Sequence, residues 1–178
     1  LLMAVILPFW TSYLIRIYAW KAILQKNGFL NNVLMELSLI TEPLTLLSTP
    51  FAVYLGIIYT YLPFMVLPVY SSLEKIDPSY NEAARDLGAS GFTTFWRVTV
   101  PLSLPGVIAG CFLVFIPAMR EWVITDLLGG SGTLMIGKQL ATELFNNNDW
   151  PVAAAVAVCM ILVLIVPIVI FQRVQERD

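Results

Sequence analysis

Residues 151–172 read PVAAAVAVCMILVLIVPIVIFQ, a run of 22 positions without a charged side chain. A helix needs about 20 mainly apolar residues to cross the hydrocarbon core of a bilayer. Two further uncharged runs reach that length, 43–73 with 31 residues and 98–119 with 22, and a shorter one occupies 1–15. The sequence therefore predicts a helical membrane protein.

The composition excludes several other classes of protein. Of the 178 residues, 58% are hydrophobic and 12% are charged, and the mean hydropathy is +0.80. Soluble domains have about 45–50% apolar and about 25% charged residues, so this chain has too few polar groups to cover a water-facing surface. Ten Lys and Arg against twelve Asp and Glu leave a net charge of −2, which provides no basic field for nucleic acid.

The uncharged runs predict four spans within one domain of residues 1–178, at about 1–20, 46–70, 101–122 and 151–171. A polar segment, 74–100, connects the second span to the third. Its basic residues and those of the tail lie on one side of the membrane and outnumber those on the other side by five to three: Lys75, Arg85, Arg97, Arg173 and Arg177 against Lys21, Lys26 and Lys138. By the positive-inside rule, segment 74–100 and the tail are expected in the cytoplasm.

Missing residue types narrow the chemistry. The chain has no histidine, which excludes Ser-His-Asp triads, histidine zinc sites and imidazole acid–base catalysis. Cys111 and Cys159 each lie in an apolar run and are interpreted as small hydrophobic residues. Residues 132–138, GTLMIGK, approach the P-loop pattern, but Gln139 follows where the pattern needs a Ser or Thr for Mg²⁺. We expect no cofactor bound by this chain.

The most informative segment is DPSYNEAARDLGASGFTTFWRVTVP, residues 77–101. Asp77 is a suitable N-cap, Pro78 suits the first helical position, and Gly88 can end the helix, which predicts a helix of about ten residues. One face of that helix is small and smooth and suits insertion into a partner's groove; it carries Tyr80, Ala83, Ala84 and Leu87. The alternative is an amphipathic helix that rests on lipid headgroups, with the aromatic residues that follow as anchors.

This segment resembles the EAA loop of bacterial ABC-importer permeases, E-A-A-x3-G-x9-I-x-L-P. The matching positions in this sequence are Glu82, Ala83, Ala84, Gly88 and Pro101, with Val98 for the Ile and Val100 for the Leu. Three further stretches resemble the permease subunit of spermidine/putrescine importers: RIYAWKAILQKNGFLNN, DLLGGSGTLMIGKQL and FNNNDWPVAAAVAV. Met119-Arg120-Glu121 departs from the expected pattern and leaves the details of the substrate path open.

The resemblance implies an all-α polytopic bundle of the type I ABC-importer permease fold in the bacterial inner membrane. Family members have about six spans, so the four seen here, and a sequence that opens inside an apolar stretch without Met, lead us to expect an N-terminally truncated chain. The resemblance also implies partners: cytoplasmic ATPase subunits that bind ATP and Mg²⁺, a second permease subunit in a heterodimer, and an extracytoplasmic binding protein. It assigns ATPase coupling to Glu82, Ala83, Ala84, Gly88, Val98 and Pro101, and no enzymatic activity to the chain.

Charged residues at membrane depth often mark a substrate path. A polyamine needs carboxylates for its ammonium groups and aromatic faces for cation–π contact. Suitable residues occur as two adjacent pairs with one further carboxylate: Glu121 with Trp122, Asp149 with Trp150, and Asp126. The alternative is that Arg120 and Glu121 form an ordinary helix end, and that Arg16 pairs with a residue outside this sequence.

Two small residues in the third span, Gly106 and Gly110, form a GxxxG pair that permits close helix approach. The sequence leaves open whether they contact a helix of the same chain or the second permease. Three alternative functions also remain open: a permease for an inorganic anion or ferric ion, an ion-coupled secondary transporter or membrane scaffold, and an intramembrane enzyme. The EAA pattern argues against the second, and the lack of histidine and of paired aspartates within a span argues against the third.

Overall fold

The computed structural model describes residues 2–130 and 132–175, and within those ranges it contains helices, turns and loops but no strand. The chain divides into two units, one formed by Leu1–Thr60 with Ile116–Asp178 and the other by Tyr61–Phe115. Leu1, where the first predicted span begins, and Arg177 of the basic tail lie outside the described residues.

The first predicted span, 1–20, is interrupted in the structure. Helix α1 (Leu2–Ile6) continues into a 3₁₀ turn (Leu7–Trp10), and α2 begins only at Tyr13 (Tyr13–Leu24). The break lies at Thr11, whose backbone is extended and whose N–H and hydroxyl both donate to the Pro8 carbonyl, at 3.3 and 2.7 Å. This local hydrogen bonding competes with continuation of the helix. The four-span assignment remains a prediction.

The next two helices begin at readable signals. Helix α3 covers Phe29–Glu36 and begins directly after Gly28. Helix α4 covers Pro50–Glu74, and the Thr49 hydroxyl accepts a hydrogen bond from the Ala52 N–H at 3.4 Å. Proline favours the first turn of a helix, which explains why α4 begins four residues after the predicted start at 46.

Six more helices follow α4 in the described residues. They are α5 (Pro78–Asp86), α6 (Gly91–Thr94), α7 (Val100–Met119), α8 (Val123–Leu128), α9 (Ile136–Ala141) and α10 (Trp150–Gln175). Two π-helical turns, Phe95–Thr99 and Thr142–Asn146, join α6 to α7 and follow α9. Three stretches of the described residues are long and apolar enough to cross a membrane: Pro50–Glu74, Gly91–Met119 and Trp150–Val169.

The first unit has a small apolar core where α2, the start of α4 and α8 meet. Its fully buried side chains are Ile17, Leu24, Ala52, Val53, Ile124 and Leu128. Gly56 permits this contact, because a Cβ there would lie 2.7 Å from Leu128 Cδ1 and 2.8 Å from Ile124 Cγ2. Asn31 fixes the adjoining loop: its side chain is fully buried, donates to the Leu44 carbonyl at 2.9 Å and accepts from the Leu44 N–H at 3.0 Å.

In the second unit, α4 and α7 lie in close contact at two glycines. A Cβ on Gly106 would collide with Ser72 Cβ and lie 2.6 Å from the Pro68 carbonyl oxygen. A Cβ on Gly110 would lie 2.7 Å from Met65 Sδ. The GxxxG face of α7 is thus turned to a helix of the same chain.

Candidate functional site

Helix α5 begins with the cap that the sequence predicts. Asp77 precedes it with extended backbone, and one of its carboxylate oxygens accepts a hydrogen bond from the Ser79 N–H at 2.9 Å. This backbone hydrogen bond is the main reason why the pKa of Asp77 is lowered from its ordinary value of 3.8. Pro78 occupies the first helical position, where its missing N–H leaves no hydrogen bond unmade.

The same helix ends in a Schellman motif. The Ala89 N–H donates to the Ala84 carbonyl at 3.0 Å, and the Gly88 N–H donates to the Arg85 carbonyl at 2.8 Å. Gly88 has φ +80°, the left-handed conformation that this motif requires. Both ends of α5 are therefore fixed by local hydrogen bonds, and its nine residues form a defined helix.

The predicted docking face of α5 is open. No residue of the helix is buried; Tyr80 is 55% exposed, and Leu87, just after the helix, is 90% exposed. Glu82, Ala83 and Gly88 are also exposed, whereas Ala84 is half-buried. The segment therefore presents a low surface, flanked by two larger side chains, that the described chain leaves largely exposed.

A connection of four residues, 87–90, joins α5 to the membrane helix. The Ser90 hydroxyl accepts from the Thr93 N–H at 3.3 Å and caps α6, and the helical path then runs continuously from Gly91 to Met119. Val98 is half-buried in the π turn, and Pro101 is exposed at the second position of α7. The sequence placed the start of this membrane helix at 101 and missed the ten preceding residues; the Ser90-Gly91 pair is the signal that could have indicated them.

Exposed aromatic side chains gather on this entry. Phe92 and Trp96 meet edge to face with ring centroids 6.3 Å apart, and Phe95 meets Trp96 at 5.6 Å. All three are at least half exposed. Such rings beside a membrane helix are typical of the interfacial aromatic belt.

The predicted path residue Glu121 is buried, with 7% of its surface exposed. Its Oε1 accepts hydrogen bonds from the backbone N–H groups of Val123 at 3.0 Å and Ile124 at 3.1 Å. The carboxylate thus caps the first turn of α8, which places a negative charge where the helix dipole stabilises it.

Two further contacts gather around α8 and α9. Trp122 lies beside Phe145, with ring centroids 6.4 Å apart. Asp126 forms an ion pair with Lys138 at 3.6 Å, and the two side chains are 57% and 22% exposed. A Cβ on Gly137 would lie 2.5 Å from the Arg120 carbonyl carbon, so the lack of a side chain at Gly137 lets α9 approach the backbone at Arg120 closely. The structure thus groups residues 120–126 with residues 137–145.

Asp149 and Trp150 lie at the start of α10. Asp149 Oδ1 accepts from the Val152 N–H at 3.2 Å, and Trp150 is 69% exposed. Sequence reasoning missed Glu143, whose two carboxylate oxygens accept from Gln139 Nε2 at 2.7 Å and Asn147 Nδ2 at 2.8 Å. The i, i+4 spacing of these three residues is the signal that could have indicated this cluster. The Glu143 carbonyl also accepts from the Asp149 N–H at 2.9 Å, which joins the cluster to α10.

Arg16 lies in the first turn of α2 with 9% of its surface exposed. Its guanidinium carbon lies 5.2 Å above the Phe9 ring, within range of a cation–π contact. In the part of the chain that the structure describes, no group of three His, Cys, Asp or Glu side chains could hold a metal ion.

Comparison with known proteins decides the family. Residues 1–178 match the family described as binding-protein-dependent transport system inner membrane component. The chain belongs to this family. The family resemblance that the EAA pattern indicated is therefore confirmed.

Curated relatives agree with this membership. The chain is 46% identical over 173 residues to the spermidine/putrescine transport system permease protein PotB of Escherichia coli (strain K12), covering 97% of this chain and 63% of that protein. It is 43% identical over 176 residues to PotB of Haemophilus influenzae, covering 99% and 62%. The inner membrane ABC transporter permease protein YdcU of E. coli (strain K12) is 32% identical over 188 residues, covering 98% and 59%. The chain thus spans about three fifths of the length of these relatives.

Among solved structures, a bacterial ABC transporter involved in the import of the acidic polysaccharide alginate matches with a TM-score of 0.74. The match covers 99% of this chain and 64% of that chain, at 18% sequence identity. At this identity the likeness concerns the fold alone, and together with the family match it confirms the predicted all-α fold of the ABC-importer permease type.

Proposed function

We propose that the chain is a permease subunit of an ATP-driven importer, forms part of the translocation path for a polyamine such as spermidine or putrescine, and couples to a cytoplasmic ATPase through α5. The cargo is taken from the curated relatives, which are spermidine/putrescine permeases at 43–46% identity. In this role the chain carries out no covalent chemistry, and ATP with Mg²⁺ is bound by the ATPase subunit.

The observation that carries the coupling role is the exposed helix α5, which is capped at both ends. Its N-terminus is fixed by the Asp77 cap and its C-terminus by the left-handed Gly88, while Ala83 and Leu87 are exposed. A short helix with a small-residue face can lie in a groove of a partner, and it transmits force only if its ends do not unwind. Glu82 adds one negative charge to this surface for a basic or N–H-rich groove.

Further partners belong to the same proposal. A second permease subunit completes the translocation path, and a soluble binding protein delivers the cargo from the opposite side of the membrane. One of the curated relatives, at 33% identity over 104 residues, is a PotC homolog of Mycoplasma genitalium, a permease protein of the same type of transport system. We expect the two permease subunits to be different chains.

For the path we propose Glu121, Trp122, Asp126, Asp149 and Trp150. Of the three carboxylates proposed for the path, only Asp126 is exposed, and its counterion is the Lys138 ammonium at 3.6 Å. An arriving polyamine ammonium can take the place of Lys138, because an exposed ion pair of this kind is weak, at about 0–1 kcal/mol. Trp122 and Phe145 supply aromatic surface next to that exchange.

The test uses the full-length protein expressed with its native operon and purified in mild detergent. The Glu82→Lys variant reverses one charge on the docking surface, and Glu36→Lys makes the same change at an exposed position at the end of α3. We expect an ATPase subunit to co-purify with the wild type and with Glu36→Lys, and to be lost from Glu82→Lys together with spermidine uptake. A wild-type chain that purifies alone, under conditions that preserve other membrane complexes, contradicts the coupling role.

Cargo is tested separately with membrane vesicles that accumulate labelled substrate in an ATP-dependent manner. Accumulation of spermidine or putrescine, competed by the other, supports the polyamine path. ATP-dependent accumulation of ferric ion or an inorganic anion without polyamine would retain the permease role and reject the cargo.

A further inference from the structure

A groove of about 460 Å³ lies next to α5 within the unit Tyr61–Phe115. It is formed by the end of α4, the connection to α5 and the first half of α7. Six of its lining residues define its chemistry: Lys75, Tyr80, Ser71, Ser72, Pro105 and Ala109. Lys75 is the only one of the lining residues with a full charge at neutral pH.

The groove changes in polarity along its length. On α4 the uncharged run ends at Leu73, so Lys75 lies just outside the apolar part of that helix. On α7 the chain runs in the opposite sense, and Ala109 lies about two and a half turns after Val100, the first residue of α7. Ser71 and Ser72 lie between these two levels. The groove therefore joins an ammonium and hydroxyl groups at the membrane surface to an apolar wall at the level of the hydrocarbon.

Two acidic residues flank Lys75 in sequence, but neither of them lines the groove. Glu74 directly precedes Lys75, and Asp77 follows it by two residues, where its carboxylate accepts from the Ser79 N–H and caps α5. Lys75 is exposed, and no ion pair to it is formed within the described residues. The polar end of the groove therefore attracts an anion.

We propose that this groove binds an anionic phospholipid of the cytoplasmic leaflet. The phosphate lies at Lys75 with the hydroxyls of Ser71, Ser72 and Tyr80 within its surroundings, and one acyl chain lies along Pro105 and Ala109. A lipid has a charged headgroup at one end and an apolar chain at the other, as the groove has a charged end and an apolar wall. A soluble anion would make no favourable contact with the apolar wall. An anionic headgroup is favoured over a zwitterionic one because the latter brings a second cation next to Lys75. Basic pockets between membrane helices on the cytoplasmic side are known as lipid headgroup sites.

The lipid site gives the proposed function a dependence on the membrane. Tyr80 belongs to α5 and also lines the groove, so the bound lipid contacts both the end of a membrane helix and the coupling helix. The assignment to the cytoplasmic leaflet and the link to coupling rest on the proposed function. The binding of the lipid does not, because it depends only on the groove.

The test places the full-length complex in nanodiscs of phosphatidylcholine that contain a photoreactive analogue of either phosphatidylglycerol or phosphatidylcholine, and identifies labelled peptides by mass spectrometry. We expect the phosphatidylglycerol analogue to label the groove in the wild type and in Lys75→Arg. Lys75→Gln removes the charge but keeps most of the stem, and labelling should fall about fivefold, the equivalent of about 1 kcal/mol for one lysine near an anionic surface. The matched control Arg97→Gln removes a charge from the same predicted side but outside the groove, and should not change labelling.

A second variant tests the apolar end. Ala109→Phe fills the groove at the hydrocarbon level without a change in charge, and should lower labelling by both analogues. Three outcomes overturn the inference: equal labelling by the two analogues, labelling of Lys75→Gln at the wild-type level, or exclusion of both lipids from the groove by another protein segment.

Labelling is read without ATP or transport, so its failure is distinct from failure of the proposed function. A complex that retains its ATPase and imports polyamine, but shows no dependence on Lys75, rejects the lipid site alone. A chain that shows the Lys75-dependent labelling but binds no ATPase rejects the coupling role and retains the lipid site.

Discussion

Substitution of Gly88 tests whether the left-handed turn after α5 maintains the coupling helix. No heavy atom lies within 4 Å of the position that a Cβ would occupy there, so a small side chain meets no steric obstacle. The effect then comes from the backbone, because φ is +80° and an L residue in the left-handed region is less stable by about 1–2 kcal/mol. Asn tolerates this region best among residues with side chains, and a β-branched residue tolerates it least.

We expect the destabilisation of this turn to increase from Gly88→Asn through Gly88→Ala to Gly88→Val. About 1 kcal/mol for Ala corresponds to a fivefold increase in opening of the turn, and about 2 kcal/mol for Val corresponds to roughly thirtyfold. The reporter is the Ala89 N–H, whose hydrogen bond to the Ala84 carbonyl closes the Schellman motif. Hydrogen–deuterium exchange of the purified full-length protein measures this opening, and spermidine uptake measured in parallel should decline in the same order.

The control is Gly91→Ala, three residues later. Gly91 also has open space at the Cβ position but lacks a positive φ, so Ala should leave exchange and uptake near the wild-type values. Equal exchange in Gly88→Val and Gly88→Asn would refute the reasoning, as would a Gly91→Ala variant as damaged as Gly88→Ala.

The pair Gly88→Asn and Gly88→Asp separates charge from conformation. The two side chains have nearly the same size, and both residues tolerate the left-handed region. Asp adds a negative charge at the C-terminal end of α5, where the helix dipole disfavours it, and on the proposed docking surface. We expect Gly88→Asp to insert in the membrane normally but to lose uptake; uptake equal to that of Gly88→Asn would contradict the docking role of this turn.

Three further predictions concern the caps and the helix contact. Because the pKa of Asp77 is lowered in the folded chain, the stabilisation that its carboxylate gives α5 is complete above pH 3.8 and is lost as the pH falls through the lowered pKa. An NMR titration of the Ser79 amide should follow this loss, and Asp77→Asn should abolish the titration but keep the cap. Gly106→Ala should lower the free energy of unfolding by about 1–3 kcal/mol, because its Cβ meets Ser72 and Pro68, whereas Gly91→Ala should not; equal melting temperatures for the two variants would show that α4 and α7 separate without penalty. Glu121→Gln retains an oxygen for the Val123 and Ile124 N–H groups, so it should preserve the free energy of unfolding but lower polyamine uptake; unchanged uptake would show that Glu121 serves only as a cap. Glu121→Ala removes the cap and should lower the free energy of unfolding by about 0.5–2 kcal/mol in either case.

The ends of a helix could be predicted from the sequence where a single residue type determines them. Asp77, Pro78 and Gly88 predicted the start and end of α5 because capping and a positive φ each select few residues. The existence of the membrane helices could also be predicted, because a long uncharged apolar run indicates a membrane-spanning helix. Their ends were less predictable: Pro50 delays α4, and Ser90 starts the third apolar helix ten residues early.

The candidate path was less accessible to sequence reasoning, because its contacts join separate elements. The capping of α8 by Glu121 depends on the turn after α7, and no spacing rule predicts that turn. The ion pair between Asp126 and Lys138 depends on how α8 and α9 meet. Glu143 was not predicted because, unlike Glu121 and Asp149, it is not followed directly by a tryptophan. The interruption at Thr11 was also missed, because an uncharged run conceals a break made by hydrogen bonds to a preceding carbonyl.

The unbroken helical path from Gly91 to Met119 has a mechanical meaning. At 1.5 Å per residue its 29 residues make a rod of about 43 Å, longer than the hydrocarbon thickness of a bilayer. The π turn Phe95–Thr99 holds about one residue more than a turn of α-helix. It therefore determines the direction, about the helix axis, in which the side chains of α7 point. On the proposed function, torque applied at the cytoplasmic end would reach the far leaflet as axial rotation of this helix. Deletion of one residue from the π turn would rotate the residues of α7 about the helix axis by about 100°.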